Sequence, residues 1–496
     1  MTLTLSTAPA TETQSEELAL LLPQSDWQAQ AKAQLGSLGD AIVELASTEG
    51  FKAGIGQKFS TATLGQLSAR RVTLIGLGKE ALTNDEIRDM GGHASRSGHQ
   101  HKANNVAVWA PWQSAQLGGD RNAALKLISE GLILGAYRFS RYLTDEDAKA
   151  AGPENFSLHV TDTDAAAQSA LAAAEAVAAG VCVARDLGNE PPQVCDPAYL
   201  AKIGQGLADT HGFEANIFEH DALEAKGMNL LAAVGRGSLT GSRLIHLKYT
   251  GKGEIKRTLA FVGKGVTFDT GGYSLKISGS MLGMHLDMCG SAAVLGAAES
   301  IGRLQPEGVE IHFLVASAAN MVSKEAFTVN EILKGYGGKT VEINNTDAEG
   351  RLCLADALAY AVELDVDEII DLATLTGACV VALGEQYTGM FCNNEQMASG
   401  VLGAASAAGE RLWRMPLDER LRDKLKSSVA DMKNTGDRWG GAITAALFLK
   451  EWVGDKAWTH LDIAGPAMVE GENPLSPKGG SGVGVATLVS YALGQS

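Results

Sequence analysis

Four carboxylates and three basic side chains crowd into three short segments of this chain. Segment 263–276 carries Lys264, Asp269 and Lys276 in a glycine-rich run. Segment 284–290 places Asp287 just before a helix start, and segment 344–352 spaces Asp347, Glu349 and Arg351 at alternate positions. Alternate residues of extended backbone point the same way, so these last three are predicted to face one pocket. Acids that converge without partners raise one another's pKa values or splay apart. Cations must offset them, and two divalent metal ions do so, because oxygen ligands suit Mg, Mn or Zn and a carboxylate can bridge. A metal pair about 3.5–4 Å apart activates water and polarises a carbonyl. Taken alone, Asp287 reads equally well as a helix cap. Two other chemistries drop out. No HExxH is present, and the 335–340 stretch has Leu333 where a phosphate-binding loop needs its first glycine, so it reads as a turn.

Such segments need strands behind them. Apolar runs at 259–262, 311–315, 369–373 and 458–463 alternate with helical patterns at 291–304, 355–366 and 442–453. Short buried strands alternating with helices imply a sheet covered on both faces, with ligands bound outside the carboxyl ends of its strands. The first 165 residues read as a separate α/β unit, with strands at 71–76 and 105–109 and helices at 82–90 and 126–143. Gly76-Leu77-Gly78 lacks the third glycine of a dinucleotide fingerprint. His93, His99 and His101 lie in a Gly/Ser/Asn-rich stretch and read as solvated loop histidines. An Ala-rich helix over 164–186, ended by Pro191 and Pro192, serves as connector. The expected division is an N-terminal α/β domain (1–165), a linker helix (166–189) and a catalytic α/β domain (190–496) with a mixed central sheet flanked by helices.

Composition removes whole classes of function. The chain has 496 residues, 45% hydrophobic and 20% charged, which suits a globular protein with a large core and excludes a disordered or disulfide-scaffold reading. A net charge of −17 speaks against a general nucleic-acid or anionic-membrane binder. Cys182, Cys195, Cys289, Cys353, Cys379 and Cys392 form no CxxC pair, and they read as reduced core thiols of a cytoplasmic protein. No signal peptide or membrane span is expected, since the Ala-dominated 170–184 stretch carries Glu175 and suits a soluble helix.

The segments also carry a resemblance. Residues 345–352 (NTDAEGRL), 263–272 (GKGVTFDTGG), 185–192 (RDLGNEPP) and 371–378 (DLATLTGA) are similar to motifs of the leucyl aminopeptidase (cytosol aminopeptidase) family. So are 433–436 with 440–446, and 460–466 (HLDIAGP). The likeness runs in order over about 185–490, and the first third matches only in general layout. It implies a metal-dependent aminopeptidase that releases N-terminal Leu, Met and similar residues from peptides, with two Mn²⁺ or Zn²⁺ ions per subunit. One metal would take Lys264, Asp269, Asp287 and Glu349. The other would take Asp269, Asp347 and Glu349, with the Asp347 carbonyl assisting. Lys264 must then be a neutral amine, its pKa depressed by the metal. Lys276 would stabilise the developing oxyanion. Arg351 would hold a bicarbonate ion acting as general base, matching its planar geometry. Asp287 would also receive the substrate's free α-amine. Met284, Thr374, Gly377, Ala464 and Ala467 would line the side-chain pocket, with the Leu375 carbonyl on the scissile amide or leaving amine. Met284 reads equally as plain core. The family's assembly is a homohexamer, a dimer of trimers.

The sequence departs from the family pattern in several places. Residues 277–285 replace the usual proline, acidic and lysine positions, and Cys289 stands where glycine is usual. Lys324, Val329 and Ala486 replace an expected glycine, proline and arginine. Tyr273 and the altered loop resemble the peptidase B-like branch. Every inferred ligand and both catalytic side chains survive, so the departures bear on pocket shape. Two alternatives stand beside the enzyme: a DNA-binding accessory or regulatory protein, and a catalytically weak structural relative.

Overall fold

The computed structural model describes residues 1–145 and 152–494. The short stretch 146–151 of the expected first domain and the last two residues of the expected catalytic domain lie outside it. The chain forms two compact α/β units, Met1–Ala178 with Gly471–Pro477, and Ala179–Glu470 with Lys478–Ser496. The division falls inside the 25-residue Ala165–Asn189 helix. Among the described helices this one alone is long and apolar enough to cross a membrane, and half of its most apolar stretch is buried within the protein.

The first unit holds a six-stranded sheet in the order Thr2–Ser6, Asn155–His159, Asn105–Trp109, Glu17–Pro23, Arg71–Gly78, Lys58–Ala62. All neighbours are parallel except the last pair. Leu18, Leu20 and Leu22 enter one core cluster while Ala19 and Leu21 enter another. That is the pattern of a strand buried on both faces. Here the structure corrects the histidine reading. His93 and His99 lie on the Asn84–Gln100 helix and His101 caps its end, so they are not loop residues. Thr83 and Glu86 close its first turn as a capping box. The glycines that suggested a loop instead let two helices touch: a Cβ on Gly91 would lie 2.1 Å from the Ile128 carbonyl oxygen. Ile128 belongs to the Arg121–Ala136 helix.

The second unit is built on a mixed eight-stranded sheet. Its order is Leu412–Arg414, Thr388–Cys392, Ala457–Asp462, Glu368–Ala373, Arg257–Asp269, Val309–Asn320, Arg243–Thr250, Glu214–Phe218. The four central strands from Ala457–Asp462 to Val309–Asn320 run parallel, and Thr388–Cys392 and Arg243–Thr250 join this block antiparallel. Glu214–Phe218 pairs antiparallel with Arg243–Thr250, and Leu412–Arg414 pairs parallel with Thr388–Cys392. Helices Cys289–Leu304 and Gly350–Glu363 pack against the central strands. Their apolar residues, with Trp458, Phe391 and Phe448, make fully buried core. The parallel strands set the site by their unequal lengths. Glu368–Ala373 stays in register with Arg257–Asp269 only as far as Leu372 opposite Gly263. Lys264 and Asp269 lie beyond that point, on strand that has outrun its neighbour. Segment 263–269 therefore continues the strand expected at 259–262, within a 13-residue strand.

Candidate functional site

Four chain segments meet at the carboxyl end of that parallel block. The Arg257–Asp269 strand delivers Lys264 and Asp269, and the 271–276 turn brings Lys276 back over it. The turn ahead of the Cys289–Leu304 helix delivers Asp287, and the turn into Gly350–Glu363 delivers Asp347, Glu349 and Arg351. Together with Met284, Thr374, Leu375, Gly377, Ala464 and Ala467 these residues line one cavity of about 440 Å³. Every site residue singled out in the sequence is thus brought to one place. The reason given for one group is corrected. Residues 347–351 are a turn entering a helix, with Glu349 already in helical backbone at φ −77°, so rotation into the helix rather than strand alternation aims them inward.

Hydrogen bonds decide the two ambiguous residues. Asp287 does not cap the following helix. Its Oδ1 accepts from Lys264 Nζ at 2.8 Å and from Thr374 Oγ1 at 2.8 Å. Met284 is half-buried on the cavity wall rather than in the core. Lys264 Nζ also donates to the Thr374 carbonyl at 3.0 Å and stands 2.9 Å from Glu349 Oε1. Lys276 Nζ bridges Asp269 Oδ2 at 2.8 Å and Asp347 Oδ1 at 2.7 Å. Asp269 Oδ1 accepts from the Gly271 amide and from Asn320 Nδ2, both at 2.8 Å.

The electrostatics follow from burial and from charge pairing. Burial pushes the carboxyls of Asp287, Glu349 and Asp347 above the usual carboxylate range, against the pull of the lysines. Burial alone would lower Lys264, but Asp287, Glu349 and Asp269 outweigh it and hold the ammonium above its ordinary value. The same balance, with Asp269 and Asp347, raises Lys276. Burial lowers Arg351 to about 10, opposed by Glu349 and Asp462. Its Nη1 donates to the Asn434 carbonyl at 2.8 Å.

The donor set fits divalent metal ions. Ligand oxygens of Asp269, Asp347 and Glu349 lie within 4.8 Å of one another, the one such group among the described residues. Asp287 Oδ2 and Glu349 Oε2 are buried with no hydrogen-bond partner. Buried charged oxygens left unpaired are costly, and a cation between them removes the cost. Oxygen-rich, histidine-free coordination suits hard or borderline ions. No histidine or cysteine joins the group.

Comparison with known proteins agrees with this chemistry. The sequence model of the cytosol aminopeptidase family's catalytic domain matches residues 182–489, and that of its N-terminal domain matches 18–146. The chain belongs to the cytosol aminopeptidase family. A probable cytosol aminopeptidase of Synechococcus sp. (strain CC9605) is 43% identical over 499 residues, covering 100% of both chains. One from Acaryochloris marina is 42% identical over 92% of each. Among solved structures, a lysine-to-glutamate mutant of tomato leucine aminopeptidase superposes with a TM-score of 0.90 at 35% identity, covering 99% of this chain and 96% of that one. The bottromycin maturation enzyme BotP in complex with Mn gives 0.85 at 32% identity, over 96% and 99%. As a family member this chain is a metal-dependent aminopeptidase of the leucine aminopeptidase kind, a metallo-exopeptidase acting on peptides.

Three buried residues in this region escaped the sequence reading. Asn320, the last residue of its strand, donates to Asp269 and to the Thr346 carbonyl. Asn434 donates to the Asn345 carbonyl, and its own carbonyl anchors Arg351. Asp462 closes the Ala457–Asp462 strand beneath the pocket. Asn320 and Asp462 are polar residues ending mostly apolar strands, and that position was the available signal, whereas Asn434 follows Asp431-Met432-Lys433 and carried none.

Proposed function

We propose that the enzyme removes N-terminal Leu, Met and similar residues from peptides by two-metal hydrolysis with a bicarbonate general base. The observation that carries this reading is the convergence of Asp269, Asp347 and Glu349 within 4.8 Å, beside two buried carboxylate oxygens that have no protein partner. One ion, Mn²⁺ or Zn²⁺, would be held by Lys264, Asp269, Asp287 and Glu349, and the other by Asp269, Asp347 and Glu349. Bound there, the pair supplies Lewis-acid polarisation of the scissile carbonyl and a more acidic water.

The chain's own groups do the rest. Lys264 must give up its ammonium proton to act as a ligand, and its three carboxylate neighbours resist that loss until a cation neutralises them. Asp287 faces the cavity, where it would receive the substrate's free α-amine beside the metal. That contact restricts cleavage to chain ends. Lys276, already bridging two acids, donates to the charge that develops on the substrate's carbonyl oxygen. Arg351 is buried with its Nε unpartnered, which suits a planar anion held bidentately, and a bicarbonate there would supply the base. Met284, Ala464 and Ala467 give an apolar, adaptable pocket for an aliphatic side chain, while Thr374 and Gly377 shape its opposite wall and the Leu375 carbonyl accepts from the leaving amine. We place the enzyme in the cytoplasm as a homohexamer, in keeping with its relatives' family.

The test is hydrolysis of leucine and methionine amides with chelator, then with Mn²⁺ or Zn²⁺ restored. Activity that chelator abolishes and metal restores is expected. Turnover in thoroughly metal-stripped enzyme would overturn the mechanism.

A further inference from the structure

Asp462 does not line the cavity, yet both walls of the cavity hang from it. It is the last residue of the Ala457–Asp462 strand and is fully buried. Oδ1 accepts from the amides of Leu375 at 3.2 Å, Thr376 at 3.4 Å and Ala464 at 3.2 Å. Oδ2 accepts from Thr376 Oγ1 at 2.7 Å. Four donors on one buried carboxylate is a full complement, and it is what makes burying the charge tolerable. The two segments it ties are not neighbours in sequence. One wall, 374–377, follows the Glu368–Ala373 strand, and the other, 464–467, follows the adjacent parallel strand.

The geometry points to Asp462 as a positioning residue that sets the width of the side-chain pocket and hence the choice of N-terminal residue. This rests on the aminopeptidase reading of the cavity. The tie reaches the charged centre as well. Thr374, one residue before the first amide that Asp462 holds, donates its hydroxyl to Asp287 and accepts from Lys264 through its carbonyl. The two walls depend on Asp462 unequally. The 464–467 wall has a second anchor, because Ser481 bonds the Ala467 and Pro466 carbonyls. The 374–377 wall is tied to Asp287 and Lys264 through Thr374, but the Leu375 and Thr376 amides and the Thr376 hydroxyl all bond Asp462, so residues 375–377 relax most when Asp462 is cut back.

The experiment compares wild type, D462A and D462N by kcat/KM on leucine, alanine and phenylalanine amides with Mn²⁺, and by hydrogen exchange of segments 374–380, 464–467 and 311–320. A pocket edge displaced by a methylene or so is worth about tenfold in discrimination. D462A is therefore expected to lose about tenfold of the wild type's leucine-over-alanine ratio and to exchange faster in 374–380, with 311–320 unchanged. D462N keeps an acceptor for the three amides but loses the acceptor for Thr376 Oγ1, so its ratio shifts less than that of D462A. A purely structural role would lower all three rates together. Equal loss on all three amides with unchanged exchange in 374–380 overturns the inference, and so does a D462N ratio shifted as far as that of D462A. Should D462A fail to fold, T376V removes the Oγ1–Oδ2 bond together with the helix-cap bond from the Cys379 amide, both of which hold the 374–377 wall. A smaller shift in the same direction supports the inference, and none overturns it. If the wild type hydrolyses no amide the aminopeptidase reading fails, while the exchange of 374–380 still decides whether Asp462 holds that wall.

Discussion

Gly350 has no room for a side chain because Lys264 occupies the space: a Cβ built there would lie 2.5 Å from Lys264 Nζ and 2.4 Å from its Cε. Gly350 is the first residue of its helix and has an ordinary helical backbone. Its lack of a side chain is thus a matter of clearance, not of conformation. Gly350→Ala should leave the fold intact, since alanine is a better helix former by up to about 1 kcal/mol. The flexible lysine can move aside, but then its nitrogen leaves Asp287 and Glu349. A displacement near 1 Å at a catalytic centre costs about 100-fold in rate. We expect kcat on leucine amide to fall by about that factor with the melting temperature held or raised. A variant with near-normal kcat would show that Lys264 is not needed where it stands.

Asp347 offers a sharper test of the ligand set. It is the most exposed of the clustered carboxylates and pairs with Lys276. Asp347→Asn keeps the size and removes the charge. Loss of even outer metal partners costs about 10–100-fold in metal affinity. Asp347→Asn should therefore bind one of two metal equivalents at least 100-fold more weakly by calorimetry, and should lose turnover. Two tight equivalents in that variant would remove Asp347 from the site.

How much of this was readable beforehand depended on what glycine meant at each position. The acids, lysines and arginine of the site could be found because charged residues at the ends of apolar runs stand out. Their elements were harder to place. The strand expected at 259–262 stops where Gly263 and Gly265 interrupt the apolar run, yet it continues through 263–269. A Cβ on Gly263 would meet the Gly290 carbonyl at 2.6 Å, so that glycine admits the Cys289–Leu304 helix. Gly91 misled in the same way in the first unit. Sequence shows that a side chain is missing but not whether a turn or a neighbour forbids it. Asn320 and Asp462 were missed for another reason. Each acts through partners far along the chain, and only the sheet order makes the strand ends that carry them neighbours.

Arg351 separates an anion-binding role from a purely structural one. Its Nη1 bond to Asn434 fixes the guanidinium, while the buried Nε has no partner. Arg351→Ala should lower kcat by about 10²–10⁴-fold, the range expected for losing a general base. Added bicarbonate should restore part of the rate. A variant whose rate is unaffected by bicarbonate from zero upward would count against the anchoring role.

Away from the site, a buried histidine pair predicts how stability varies with pH. His246 Nε2 lies 2.8 Å from His312 Nδ1, and His246 Nδ1 lies 3.2 Å from the Tyr360 hydroxyl. Glu310 bonds the far nitrogen of His312 at 3.2 Å, and Lys248 pairs with Glu310 at 3.0 Å. Burial, with His312 and Lys248 adding repulsion, lowers His246 to about 4, against an ordinary value of 6.5. Between those values the unfolded chain binds a proton that the native protein refuses. Stability therefore falls as pH drops from about 6.5 toward 4, and levels off below. The full difference is about 3 kcal/mol at 1.36 kcal/mol per pH unit. Unfolding in urea at pH 7, 6, 5 and 4 should show the decline in wild type. His246→Gln, which keeps hydrogen-bonding capacity without the titration, should flatten the curve by about that amount. An unchanged slope in this variant would place the acid sensitivity elsewhere, with His93 next, since burial with Lys58 also lowers it to about 4.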